Sequence, residues 1–147
     1  MKRFILGLFA CLILTPALVR AADWLTDLPK AQARAKAENK MVLLNFTASD
    51  WSGWCTKFKT EVLDTAAFQE YAEKNLVMVE VDFPRKKSVP PELKKANEAL
   101  KKNFKAEEFP TFVVLNKDGA EIGRQERYAA GGANAFIAKL EGFKKKN

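Results

Sequence analysis

Five consecutive residues, Trp51-Ser52-Gly53-Trp54-Cys55, hold most of the chemistry this chain can offer. They follow an apolar run, Met41-Val42-Leu43-Leu44-Asn45-Phe46, and open what reads as a helix. A redox C-x-x-C motif sits at such a strand-to-helix junction. The free N–H groups and partial positive charge of a helix start favour a thiolate there. In this chain the first cysteine position holds Ser52. A hydroxyl forms no disulfide with Cys55, and dithiol exchange needs one sulfur to attack and a second to expel the product. Serine acts as a nucleophile only when a base activates it, and the chain has no histidine. That absence also excludes Ser-His and Cys-His catalysis, His-ligated zinc and c-type haem attachment. No cofactor and no metal is expected.

The chain of 147 residues is long enough for one domain with a real core. Its first residues read as a leader. Lys2-Arg3 is positive, Phe4 to Val19 is apolar apart from Thr15-Pro16, and Val19-Arg20-Ala21 carries small residues where a signal peptidase reads. Residues 1–21 are expected to be removed, which leaves 22–147 as the working domain. The apolar stretch is shorter than the roughly 20 residues of a spanning helix, so no stable membrane anchor is expected after cleavage. The compartment implied is the periplasm, with secretion as the second choice.

Removal takes away Lys2, Arg3 and Arg20 and lowers the formal charge from +7 to +4. Arg85-Lys86-Lys87 and Lys144-Lys145-Lys146 are short solvated runs, not the concentrated basic stripe of a nucleic-acid binder. Cys11 leaves with the leader, so Cys55 is the one cysteine of the mature chain, in an oxidising compartment.

The rest of the sequence must position the motif. Thr26-Asp27-Leu28-Pro29 starts a helix that runs to about Asn39. Met41 to Thr47 is a strand buried on both faces. A motif helix runs to about Val62, with Ser52 or Asp50 as its cap. Asp64 or Thr65 caps the next helix, and Leu76 to Val81 is a strand ending at Asp82. Phe83 to Pro91 is a loop. Glu92 to Phe104 reads as a helix with Leu93, Ala96, Leu100 and Phe104 on one face. Phe109-Pro110-Thr111 leads into Phe112-Val113-Val114-Leu115, Asn116-Lys117-Asp118-Gly119 is a hairpin turn, and Glu121 to Arg124 is the return strand. After Gly131-Gly132, Asn134 caps a last helix with Phe136, Ile137 and Leu140 inward. The order predicts an α/β sandwich with a central mixed sheet flanked by helices.

These residues in this order resemble the thioredoxin fold. Ser49-Asp50-Trp51-Ser52-Gly53-Trp54-Cys55 is similar to the S-D-W-C-G-W-C motif of exported bacterial thioredoxin-like proteins. Glu61-Val62, Val79-Glu80-Val81-Asp82-Phe83-Pro84, Phe109-Pro110-Thr111 and Gly131-Gly132 agree with that group, over essentially the whole mature chain. The resemblance implies roles. Ser52 stands at the nucleophile position and Cys55 at the resolving position. Pro110 would be the cis-proline beside them. Pro110 and Thr111 would present an edge to an extended client strand, with Trp51, Gly53 and Trp54 shaping the surface around it. Asn45 falls where such proteins bury an acid.

Three readings of Cys55 stay open. As a reactive single thiol, favoured by Lys57 and Lys59 nearby in sequence, it would form mixed disulfides with exported clients, a redox partner protein or glutathione-like thiols. As a buried structural residue, it would leave a non-catalytic client-binding or chaperone-like domain. As an exposed sulfur, it would link two chains in a homodimer.

Overall fold

The computed structural model describes residues 22–146. The expected leader and Cys11 lie outside the described residues. Strand β2 (Met41–Thr47) is buried at all seven positions, as its unbroken apolar sequence requires. It is the middle of a five-stranded sheet of order β1-β3-β2-β4-β5. On one side β3 (Leu76–Asp82) runs parallel to it, in register from Met41 opposite Leu76 to Thr47 opposite Asp82. On the other β4 (Thr111–Leu115) runs antiparallel, from Val42 opposite Leu115 to Phe46 opposite Thr111. The short β1 (Trp24–Leu25) lies outside β3, and β5 (Glu121–Glu126) outside β4.

Alternation along the strands feeds two cores, one on each face of the sheet. Leu43, Met78, Phe112 and Val114 face Phe58, Phe68, Phe136 and Leu140. Those four come from α2 (Gly53–Phe58), α3 (Ala66–Asn75) and α5 (Gly132–Lys145). Val42, Leu44, Phe46 and Val79 face Ala31 and Ala35 of α1 (Leu28–Glu38), with Leu100 and Phe104 of α4 (Pro91–Phe104). The caps of α1 and α3 are those the sequence marks. Asp27 accepts the Lys30 N–H at 3.0 Å, and Thr65 Oγ1 accepts the Phe68 N–H at 3.3 Å.

Two local expectations are corrected. On α4, Ala96 is exposed and the fully buried residue is Asn97, one position on. Its Nδ2 donates to the Asp82 carbonyl at 3.0 Å, so an amide occupies the helix stripe where it meets the end of β3. At α5, Asn134 does not cap the helix. Gly131 and Gly132 take positive φ, 116° and 67°, and start the helix three residues earlier than an Asn134 cap would, without a side-chain cap.

Gly123 of β5 lies directly against α5, where an added Cβ would run into the Phe143 ring. Gly123→Ala is expected to lower stability by about 1–3 kcal/mol through overpacking. The check is a lower urea midpoint with an unchanged slope.

Candidate functional site

The motif helix begins with α2 at Gly53 and continues as one π-helical turn, Lys59–Leu63. Ser52 is the N-cap. Its backbone is extended, and its Oγ accepts the Cys55 N–H at 3.3 Å. The hydroxyl at the expected nucleophile position is therefore engaged in starting the helix.

Asp50, the other expected cap, does something else. Its carboxylate accepts the backbone N–H groups of Arg85, Lys86 and Lys87 at 2.9, 2.8 and 3.0 Å. These bonds, the one from Arg85 foremost, hold its carboxyl below the ordinary aspartate range. Ser49 donates its N–H and hydroxyl to Asp82 at 2.9 and 2.5 Å. Two acids thus tie the motif loop to β3 and to the loop that follows it.

The two tryptophans stand outward, Trp51 at 40% and Trp54 at 58% exposure. Trp51 donates its indole N–H to the Phe83 carbonyl at 2.8 Å and carries the Arg85 guanidinium 3.8 Å above its ring. Its ring meets Phe109 edge-on at 6.0 Å, and Phe109 stacks on Phe83 at 5.2 Å. Trp54 lies against Tyr128 at 5.1 Å, and the Tyr128 hydroxyl donates to Glu61 at 2.6 Å. A groove of about 320 Å³ runs between Trp54, Phe109 and Tyr128, floored by the Glu108–Arg127 ion pair. Gly53 is exposed beside it, with open space around the position of a Cβ. Phe83, Phe109 and Tyr128 belong to this face and were not singled out from the sequence. The Phe-Pro pairs at 83–84 and 109–110 were the available signal.

Pro110 is buried, the Phe109–Pro110 peptide is cis, and the Pro110 carbonyl accepts the Arg127 N–H at 2.8 Å. Thr111 is fully buried, and its hydroxyl donates to the Glu108 carbonyl at 2.7 Å. The outward side chain of this segment is Phe109, while Thr111 pairs in the ladders with Phe46 and Glu126.

Cys55 is 5% exposed and unpaired. That burial removes the expected Cys55-linked homodimer, because a second chain cannot reach the sulfur. The lysines expected to act on the thiol are engaged elsewhere. Lys57 sits over the Trp54 and Tyr128 rings, and Lys59 pairs with Asp64 at 2.6 Å. Cys55 borders a second cavity, of about 250 Å³, together with Asn45, Lys59, Glu80, Pro110 and Phe112. Asn45 is the β2 position where an acid was expected. Two acids line this cavity: Asp64, which holds Lys59, and Glu80, the partner of Asn45 across the β2–β3 ladder. Burial first, then the nearby Asp82, pushes the Glu80 carboxyl above its ordinary value of 4.5. A charged residue in the middle of a buried strand was its signal in the sequence.

With its folded value raised, Glu80 binds more protons in the folded than in the unfolded chain between 4.5 and that raised value. Its contribution to stability is full below 4.5 and is lost as pH rises through the folded value. Glu80→Gln is expected to flatten this decline, read from urea unfolding at stepped pH from acid to neutral.

A family model described as "Thioredoxin-like domain" matches residues 28–144. The chain is 35% identical over 112 residues to the disulfide bond reductase DsbH of Chlamydia pneumoniae, covering 76% of this chain and 67% of that protein. It is 32% identical over 101 residues to the thioredoxin-related protein DsbJ of the same organism, covering 69% of this chain and 29% of DsbJ. A solved DsbH oxidoreductase superposes with a TM-score of 0.77 at 33% identity, over 86% of this chain and 89% of that one. A Thermus thermophilus thioredoxin superposes at 0.64 with 24% identity, over 84% and 87% of the two chains, and shares the fold. This chain, with its mixed five-stranded sheet, belongs to the thioredoxin-like domain family, close to the DsbH-type thiol oxidoreductases.

Proposed function

We propose that this protein acts in the periplasm on exported proteins, gripping extended, cysteine-containing client segments without running a dithiol cycle. One contrast carries the reading: the sulfur is 5% exposed, while the two tryptophans of the same motif are 40% and 58% exposed. The part of the site that meets a protein partner is aromatic, and the part that would do redox chemistry is covered. The groove beside Trp54 offers a flat apolar wall with a charged floor, which suits an extended peptide laid along Phe109. The positive and apolar opening sequence, which reads as a leader, and the name of the relative DsbH, a disulfide bond reductase, support the compartment and the type of client. Partners are unfolded exported polypeptides or a redox protein that supplies the missing thiol.

The single-thiol reading retains one specific observation. Cys55 borders a cavity, so a small molecule has a route to the sulfur that a protein disulfide lacks.

Two measurements test the main reading. The natural protein is expected to reduce a protein disulfide at background rate, and Ser52→Cys to raise turnover well above it by restoring a C-x-x-C pair. Trp54→Ala is expected to weaken binding of a reduced, unfolded client peptide about tenfold, the ordinary cost of losing an aromatic anchor. Strong turnover by the natural protein, or affinity indifferent to both Trp51→Ala and Trp54→Ala, would refute the proposal.

A further inference from the structure

The cavity beside Cys55 shares no lining residue with the Trp54 groove, and client binding leaves its polar groups unused. Asn45 is 7% exposed, and its Oδ1 has no hydrogen-bond partner among the described residues. A buried acceptor without a donor is a standing demand for one. Glu80, across the ladder from Asn45, has no hydrogen bond and no ion pair within 4 Å among the described residues, and Asp82, Lys87 and Lys59 act on it only through charge. The cations of the same wall are committed. Lys59 is held by both oxygens of Asp64 at 2.6 and 2.8 Å, and Lys87 donates to Ser49 Oγ at 3.1 Å. Lys59 and Lys87 line the cavity and act on Glu80 through charge, but neither donates a hydrogen bond to Glu80 or to Asn45 Oδ1, so the donor position between those two groups, beside a thiol, is unfilled among the described residues.

We propose that this cavity takes small aminothiols, entering as disulfides with a primary ammonium on each arm, and that Cys55 holds one arm as a mixed disulfide. The ammonium fits between the Glu80 carboxylate and Asn45 Oδ1, giving each the partner it lacks. A space of about 250 Å³ admits a molecule of this size.

The step is thiol–disulfide exchange. Cys55 releases its proton to water, and its sulfur attacks one sulfur of the ligand. The Sγ–S bond forms as the ligand S–S bond breaks. The departing arm leaves with that bond's electron pair and takes up a proton as a free aminothiol. Cys55 is oxidised to the mixed disulfide as the ligand is reduced, and no further oxidant enters. This site stands apart from the proposed client face, so either can fail alone.

The test uses the folded protein with three probes: cystamine (cationic), bis(hydroxyethyl) disulfide (neutral) and dithiodipropionate (anionic). Modification of Cys55 is followed by peptide mass mapping. Each rate is divided by the rate for the same disulfide on the urea-unfolded chain, which removes differences between leaving groups. Cystamine is expected to exceed the neutral probe by about tenfold or more, the worth of one charge-assisted hydrogen bond. The anionic probe is expected to be slowest. Glu80→Gln is expected to bring the cationic and neutral rates together, with peptide binding at Trp54 unchanged. Equal normalised rates for the three probes, or modification of Cys55 only after unfolding, would overturn the proposal. Should Glu80→Gln fail to fold, the ranking of the probes on the natural protein decides alone.

Discussion

Strand β2 is hydrogen-bonded along both edges and covered on both faces, so the point at which it releases the chain is fixed in three dimensions. A slip of one residue would turn its whole side-chain set to the wrong face, and both faces are filled. The motif inherits its position from that constraint. Four residues after Thr47, Trp51 stands at the surface, and at Ser52 the helix starts. The same pairing delivers the other two parts of the site. Phe46 opposite Thr111 brings Pro110 beside the helix start, and Thr47 opposite Asp82 brings the end of β3 beneath the loop.

The loop between β2 and α2 is then held by acids as well as by the buried Ala48. Asp82 takes the Ser49 N–H and hydroxyl, and Asp50 takes three successive backbone N–H groups from 85–87. Bonds from backbone N–H to carboxylate are charge-assisted and directional. The exposed ion pairs elsewhere on the surface are worth much less. This stitching leaves Arg85 on the Trp51 ring and aligns Trp51, Phe83 and Phe109, which come from three separate loops, into one face.

What was legible in the sequence follows from this division. Strands β2 to β5, the helix order and the Asp27, Ser52 and Thr65 caps are local properties, and periodicity with capping chemistry states them, whereas the two-residue β1 exists only through its pairing with β3. The thioredoxin fold itself was readable once the motif and the FPT segment stood in order. Asn97 was not readable, because its place in an apolar stripe is decided by the Asp82 carbonyl, 15 positions away. Asn134 looked like a cap because its side chain suits one, but the backbone turn at Gly131 and Gly132 had already started the helix. Glu80 stands inside a strand pattern in the sequence, while its place beside Asn45 depends on register, which only the paired sheet displays. The burial of the Thr111 side chain is likewise set by pairing, because β4 lies between β2 and β5.

The serine at position 52 connects these levels. A helix start offers unpaired N–H groups, and a thiolate at the first motif position would draw its stabilisation from them. In this chain Ser52 Oγ already occupies the Cys55 N–H, and the favourable cap contributes about 1 kcal/mol to the helix. The donor that would serve redox chemistry is spent on structure. Cys55 itself packs under the helix, buried, and borders the side cavity. The aromatic face gains from the same exchange, because a helix start fixed by its own cap holds Trp51 and Trp54 in place whatever the state of the sulfur beneath them.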